Sequence, residues 1–136
     1  MKRLFLAIPI KTTDNDFVPL LDGLKRQLAH EKRINWVRPQ NIHLTLKFIG
    51  DTPNEDIPKI IETVGEMLRN HKCFTMDFNR TGIFGSRYAP RVLWLGMNET
   101  PQELYDLEED TLTAFDKLGY LRDRQNFVPH ISLGIV

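Results

Sequence analysis

Cysteine is almost absent from this 136-residue chain, which contains only Cys73. A single cysteine cannot form an internal disulfide, so the sequence excludes a disulfide-stapled secreted fold and predicts a reducing, cytoplasmic compartment. No apolar run approaches the roughly 20 residues that a membrane-spanning helix needs. The N-terminus is basic, as in a signal peptide, but Pro9 and Lys11 interrupt its short apolar run, and we therefore predict a first strand there.

An excess of either charge is also missing, because 18 basic residues balance 18 acidic ones. Such a protein has no overall field that attracts nucleic acid non-specifically, so any recognition of RNA must be local. There is no linker rich in Gly, Ser or charge, and the 41% of hydrophobic residues suffices for one core. Length and composition therefore predict a single domain over residues 1–136.

Hydrophobic periodicity predicts alternating strands and helices, which indicates an α+β domain. Strands are expected at residues 3–8, 43–48, 73–78, 91–97 and 130–133. Three helices are expected. The first starts at about Leu20, with Asp14 or Asp16 as its cap, and the second covers residues 57–68. The third runs from a capping box at residues 100–103 to Gly119. The aromatic segment 83–88 is either a turn or a ligand-binding surface.

A weak internal repeat runs through this pattern. In the first half, Arg3-Leu4-Phe5-Leu6-Ala7 is followed by His43-Leu44-Thr45-Leu46. In the second half, Arg91-Val92-Leu93-Trp94-Leu95 is followed, at nearly the same spacing, by His130-Ile131-Ser132-Leu133. A strand, helix and strand unit used twice predicts two lobes related by a pseudo-two-fold axis.

Both ends of the repeat carry the pattern His, apolar, hydroxyl, Leu. Because side chains alternate across a strand, His43 with Thr45, and His130 with Ser132, should share one face while the apolar residues enter a core. One such motif is most often a half-buried surface, but two in equivalent places indicate a catalytic pair. Histidine, whose pKa in model peptides is about 6.5, suits both acid and base roles in displacement at phosphorus.

The hydroxyls can donate hydrogen bonds to phosphate oxygens, and neither motif has neighbours spaced as metal ligands. The reaction is therefore expected to need no metal and no cofactor. His30 and His71 are interpreted as surface histidines, and the run Glu108-Glu109-Asp110 as a solvated helix face.

These motifs resemble those of the two-histidine phosphoesterase superfamily, in particular the RNA 2′,3′-cyclic phosphodiesterases, also called 2′-5′ RNA ligases. The resemblance spans the chain and rests on four segments: residues 3–8, Asn41 to Gly50, Phe84-Gly85 with Pro90 to Gly96, and Phe127 to Leu133. It implies antiparallel sheets in two lobes flanking a central cleft, hydrolysis of cyclic RNA ends to 2′-phosphates, and a reverse joining activity. It also implies that His130 is the base and His43 the acid.

Three departures from the family pattern stand out. The family usually continues past the second motif, so a final strand is expected to be missing, which would leave the strand at residues 130–133 as an exposed edge that invites dimerisation. An arginine often lies five residues before the second histidine, where Gln125 stands beside Arg124, and another often follows the motif, where Ile135 stands.

Recognition of RNA ends usually combines aromatic stacking with basic groups. The substrate-binding candidates are Phe84, Arg87, Tyr88, Trp36, Lys47 and Arg124. Lys47 shares the alternation of His43 and lies either in the cleft or at its solvent end, whereas Trp94 is expected in the core. Two alternatives stay open: a non-catalytic RNA-end or nucleotide-binding module, and a phosphodiesterase for a small cyclic phosphate.

Overall fold

A six-stranded antiparallel sheet lies at the centre of the computed structural model, which describes residues 1–11, 17–122 and 127–136. The strands are β1 (Lys2–Pro9), β2 (Asn35–Trp36), β3 (His43–Thr52), β4 (Arg80–Gly85), β5 (Pro90–Gly96) and β6 (Ile131–Ile135). The helices are α1 (Phe17–Gln27), α2 (Ile57–Leu68) and α3 (Gln102–Lys117). The predicted α+β class and antiparallel pairing are confirmed, whereas the predicted caps Asp14 and Asp16 lie outside the described residues.

The strand order is β1-β3-β6-β5-β4, and β2 also pairs with β6. The two halves of the repeat thus form one sheet, joined between β3 and β6 by the single residue pair Leu44 and Ile131. The expectation that the last strand is an exposed edge is wrong, because β6 pairs with β2, β3 and β5. Dimerisation through this strand loses its physical reason, since its backbone groups already have partners.

The helices bury one face of the sheet. Leu44 and Ile131 from the junction pack with Leu21 of α1 and with Leu104 and Leu107 of α3. A second cluster joins Ile60 and Val64 of α2 to Phe115 of α3. The α2 prediction is confirmed at both ends, because Ile57, Ile60 and Val64 recur at helical spacing and Pro58 falls in the first turn, where it is tolerated.

Two local predictions are wrong. Residues 73–78 form no strand: Phe74 and Met76 alternate into the core, but the segment pairs with none of the described strands. Alternation reports packing, whereas a strand also needs a hydrogen-bonded neighbour. The capping box before α3 does not form either, because Pro101 occupies the cap position and no side chain caps the helix.

All strands of the described chain belong to one sheet. The single domain over residues 1–136 stays a prediction. None of the helices in the described ranges is both long and apolar enough to cross a membrane.

Candidate active site

The two histidines of the repeated motif lie on neighbouring strands, diagonally across the junction of the two halves. His43 begins β3, and His130 directly precedes β6. Because strands β3 and β6 are antiparallel and Leu44 pairs with Ile131, continuing the register places His43 beside Ser132 and Thr45 beside His130. Leu44 and Ile131 are both fully buried beneath the helices. The four motif side chains therefore lie on the opposite face, which we call the motif face.

Both imidazole rings are held by the same kind of main-chain contact. His43 Nδ1 lies 2.7 Å from the carbonyl oxygen of Asn41, and His130 Nδ1 lies 2.7 Å from that of Val128. A carbonyl oxygen can only accept, so Nδ1 carries the hydrogen and donates it in both rings. Nε2 is thereby left as the nitrogen that gains or loses a proton. The local chain thus presents two equivalent proton-transfer groups.

An aromatic ring flanks each histidine. Phe5 stacks against His43 with ring centroids 4.9 Å apart, and Phe84 meets His130 edge to face at 4.8 Å. Phe84, a substrate-binding candidate from the sequence, therefore lies in contact with one of the histidines. Phe5 was missed, although its alternation with Leu4 and Leu6 in β1 places it on the motif face.

Lys47 lies neither on the motif face nor at a solvent-exposed end, so both positions predicted for it are wrong. Ala7 pairs with Thr45 and Leu6 with Lys47, so Leu46 is an extra residue that forms a bulge in β3. The bulge reverses the alternation that a regular strand would have. Lys47 is consequently only 2% exposed, and its Nζ donates to the carbonyl oxygen of Leu121 at 2.9 Å.

The same bulge brings Phe48 to the motif face. Phe48 pairs with Phe5, and the two rings are 6.2 Å apart. They are 67% and 48% exposed, respectively, so an aromatic surface borders His43. The sequence carries no signal for Phe48, because the bulge arises from pairing with β1.

The remaining candidates are distributed differently. Arg87 and Tyr88 are exposed beside the turn after β4, where Arg87 Nη2 donates to the Tyr88 hydroxyl at 2.6 Å and lies over its ring. Trp36 packs against the main core beneath Lys25, and the structure does not bring it to the histidines. Arg124 lies outside the described residues. Trp94 is half-buried and pairs with Ser132, so it lies on the motif face rather than in the core.

Two other features of the described chain do not contribute to this site. A groove of about 920 Å³ between the end of β1, α1 and residues 76–79 contains neither histidine. Within the described ranges, no group of three or more His, Cys, Asp and Glu side chains is placed to hold a metal ion.

Comparisons with known proteins identify the family of this chain. Residues 12–94 match the LigT-like phosphoesterase family. The chain is 33% identical over 135 residues to the RNA 2′,3′-cyclic phosphodiesterase of Methanothermobacter thermautotrophicus, covering 98% of this chain and 71% of that protein. It is 28% identical over 122 residues to the Aquifex aeolicus protein of the same name, covering 89% of this chain and 65% of that protein.

Solved structures share the fold. E. coli LigT complexed with 3′-AMP superposes with a TM-score of 0.73 at 26% identity, covering 97% of this chain and 71% of that chain. The Thermus thermophilus protein TT0787 superposes with a TM-score of 0.84 at 23% identity, covering 98% and 74%, respectively. The motifs, the shared sheet and the family match together show that this chain belongs to the LigT-like phosphoesterases, a family of two-histidine (2H) phosphoesterases.

Proposed function

We propose that this protein hydrolyses 2′,3′-cyclic phosphate ends of RNA to 2′-phosphates, with His43 and His130 as its acid and base. The observation that carries the proposal is the matched anchoring of the two rings, whose Nδ1 atoms each lie 2.7 Å from a main-chain carbonyl oxygen. Relatives named RNA 2′,3′-cyclic phosphodiesterase, at 26–34% identity, support this substrate class.

The proposed reaction is an in-line displacement at phosphorus. His130 Nε2 accepts a proton from water as the water oxygen bonds to phosphorus. The bond from phosphorus to the ribose 3′ oxygen breaks, and His43 Nε2 donates its proton to that oxygen, which leaves a 2′-phosphate and a 3′-hydroxyl. Thr45 and Ser132 hydroxyls donate hydrogen bonds to the non-bridging oxygens, where negative charge increases in the transition state.

The same groups can join RNA ends when another nucleophile replaces water. A 5′-hydroxyl of a second RNA that attacks the cyclic phosphate gives a 2′-5′ linkage, and the proton transfers are unchanged. Water, at far higher concentration, favours hydrolysis. The cytoplasmic location of the protein stays a prediction from the sequence.

An RNA oligonucleotide with a 2′,3′-cyclic end tests the proposal. We expect a 2′-phosphate product, turnover that survives a metal chelator, and losses of roughly 10²–10⁴-fold in kcat for His43→Ala and His130→Ala. His30→Ala changes an exposed histidine that belongs to neither motif, so it is the matched control and should leave kcat unchanged.

Three outcomes would contradict the proposal in different ways. Tight binding of the RNA without turnover would indicate a binding module. Turnover of small cyclic phosphates alone would indicate a different substrate. Activity that is lost in chelator and restored by a divalent ion would replace the metal-independent mechanism.

A further inference from the structure

An arginine on the outer strand of the sheet shares the motif face with the catalytic residues. Ser132 on β6 pairs with Trp94 on β5, and Trp94 pairs with Gly82 on β4. Arg80 and Phe84 each lie two positions from Gly82, so both are on the same face as Ser132. The motif face therefore extends from the Ser132 hydroxyl across the indole of Trp94 to Arg80.

Two glycines provide the space in which Trp94 lies close to the backbone of β4 and β5. A Cβ atom at Gly82 would come within 2.3 Å of the indole, and one at Gly96 within 2.8 Å. Phe84 lies against Trp94 on one side, with ring centroids 5.5 Å apart. The indole is thus held between backbone and neighbouring ring, which makes it a rigid support.

Arg80 is held against this support. Its guanidinium carbon lies 5.6 Å from the centroid of the Trp94 ring, and the residue is exposed. Arg80 forms no ion pair with any Asp or Glu of residues 1–11, 17–122 and 127–136. A cation-π contact uses the face of the guanidinium, so its N–H donors remain available to an anion.

We infer that Arg80 binds a backbone phosphate of the RNA on the 5′ side of the terminal nucleotide. The inference rests on the proposed function and names its substrate as an oligonucleotide end rather than a cyclic mononucleotide. Strand β4 lies two strands from β6, or about 10 Å at ordinary strand spacing. A cyclic phosphate held by the motif side chains does not span that distance, whereas the chain that carries it can.

Arginine is well suited to this contact. A guanidinium offers paired donors to phosphate oxygens, and an exposed arginine that is already held by an aromatic ring loses less side-chain freedom on binding. Because phosphates are the same in every sequence, Arg80 would favour longer RNA without reading its bases.

Arg80→Gln is the variant that tests this inference. We expect kcat/KM for an oligonucleotide with a cyclic end to fall about tenfold, as for loss of one charge-assisted hydrogen bond, with no change for a 2′,3′-cyclic mononucleotide. The salt dependence of oligonucleotide binding, measured with a fluorescent single-stranded RNA bearing a 2′-phosphate, should have a slope smaller by about 0.7. Arg80→Lys should retain part of the affinity.

Arg91→Gln is the matched control, since Arg91 is exposed near the start of β5, whereas Arg80 pairs with Gly96 at the end of that strand. Equal losses on both substrates, or equal effects of the two variants, would overturn the inference. If the parent protein binds the RNA through Arg80 but turns over neither substrate, the inference holds and the proposed function fails. If the parent turns over the oligonucleotide and Arg80→Gln binds and hydrolyses it normally, the inference fails alone.

Discussion

Both motif histidines are oriented by main-chain carbonyls, those of Asn41 and Val128. A carbonyl selects the tautomer by accepting from Nδ1 without adding a charge beside the ring. The contact also does not depend on the identity of the residue that provides it. The orientation of the rings is therefore determined by the backbone conformation before each histidine, and it should tolerate substitution of the Asn41 side chain.

The division of roles between the two histidines can be tested by changing the leaving group. A nitrophenyl phosphodiester has a leaving oxygen of low pKa that hardly needs an acid. We expect His43→Ala to lose much less activity on that substrate than on a cyclic ribose phosphate, whereas His130→Ala should lose activity on both. The measurement compares the rates of both variants on both substrates. If only His130→Ala lost less activity on the nitrophenyl substrate, the roles of the two histidines would be reversed.

The sequence was sufficient to predict that the two histidine motifs have equivalent positions, but not which other side chains surround them. His43 and His130 stand in duplicate motifs, and alternation within each strand is a local property. The predicted position of Lys47 is wrong, and Phe48 is not among the predicted residues, because a bulge in β3 opposite β1 shifts the alternation by one position. Such a bulge depends on two strands together, so no pattern within residues 43–48 could predict it.

Among the elements, β4 and β5 pack closely at one position, where Gly82 lies against the indole of Trp94. Gly82→Ala would place a methyl group within 2.8 Å of three indole atoms of Trp94. We expect it to lower the free energy of unfolding by about 1–3 kcal/mol, as overpacking does. Urea denaturation measures this loss, and unchanged stability would show that Trp94 moves without cost.

Gly65→Ala in α2 is the control for this substitution. A Cβ atom there would contact nothing within 4 Å, and the position is an exposed helix interior. Alanine should therefore stabilise the protein by about 0.5–1 kcal/mol, because it restricts the unfolded chain and favours the helix. The opposite signs of the two effects separate packing from backbone entropy.

Lys47 connects β3 to the segment that follows α3. Its Nζ donates to the carbonyl oxygen of Leu121, and Lys47 itself is buried. Lys47→Met keeps the aliphatic volume but leaves that carbonyl without its donor, so we expect a loss of about 1–3 kcal/mol in unfolding free energy. Amide hydrogen exchange at residues 118–122 should accelerate as well.

Lys59→Met, at an exposed position of α2, serves as the control and should change stability by less than about 0.5 kcal/mol. A Lys47→Met protein more stable than its parent would show that burying the ammonium group costs more than its hydrogen bond contributes.

Some predicted elements depend only on residues within one segment, whereas others depend on distant parts of the chain. Helix α2 was predicted with its correct ends, because a period of 3.6 residues and an early proline act within one segment. The segment at residues 73–78 has the alternation of a strand without a partner strand, since Phe74 and Met76 pack beneath the sheet. A pairing partner is a property of the fold, which alternation alone does not specify.

At the scale of the whole molecule, β6 is the most protected strand. It pairs with three other strands, and Ile131 and Leu133 are at most 1% exposed. We expect the amides of β6 to exchange hydrogen only through global unfolding, more slowly than those of the edge strands β1 and β4. Exchange in β6 as fast as in those edges would show that the junction opens locally.

The α+β class was predictable for the whole molecule, whereas the strand order was not. Alternating periodicities indicated sheet and helix, and the repeat indicated two related halves. That both halves share one sheet depends on the pair Leu44 and Ile131 and on β2, which has only two residues, Asn35 and Trp36. Elements so short carry no periodicity, so the sequence could not show where they pair.

The central position of β6 also determines when the sheet can form. Asn35 pairs with Ile135, and Leu44 with Ile131, so the closing contacts join residues separated by most of the chain. Each requires a long loop to be closed before any hydrogen bond is gained, which is an entropic cost that slows folding. During synthesis on the ribosome, β4 and β5 can pair as a hairpin, and β1 can pair with β3 across the intervening helix α1. These two strand pairs cannot join into one sheet while β6 is still inside the exit tunnel, because β6 is the strand that lies between them.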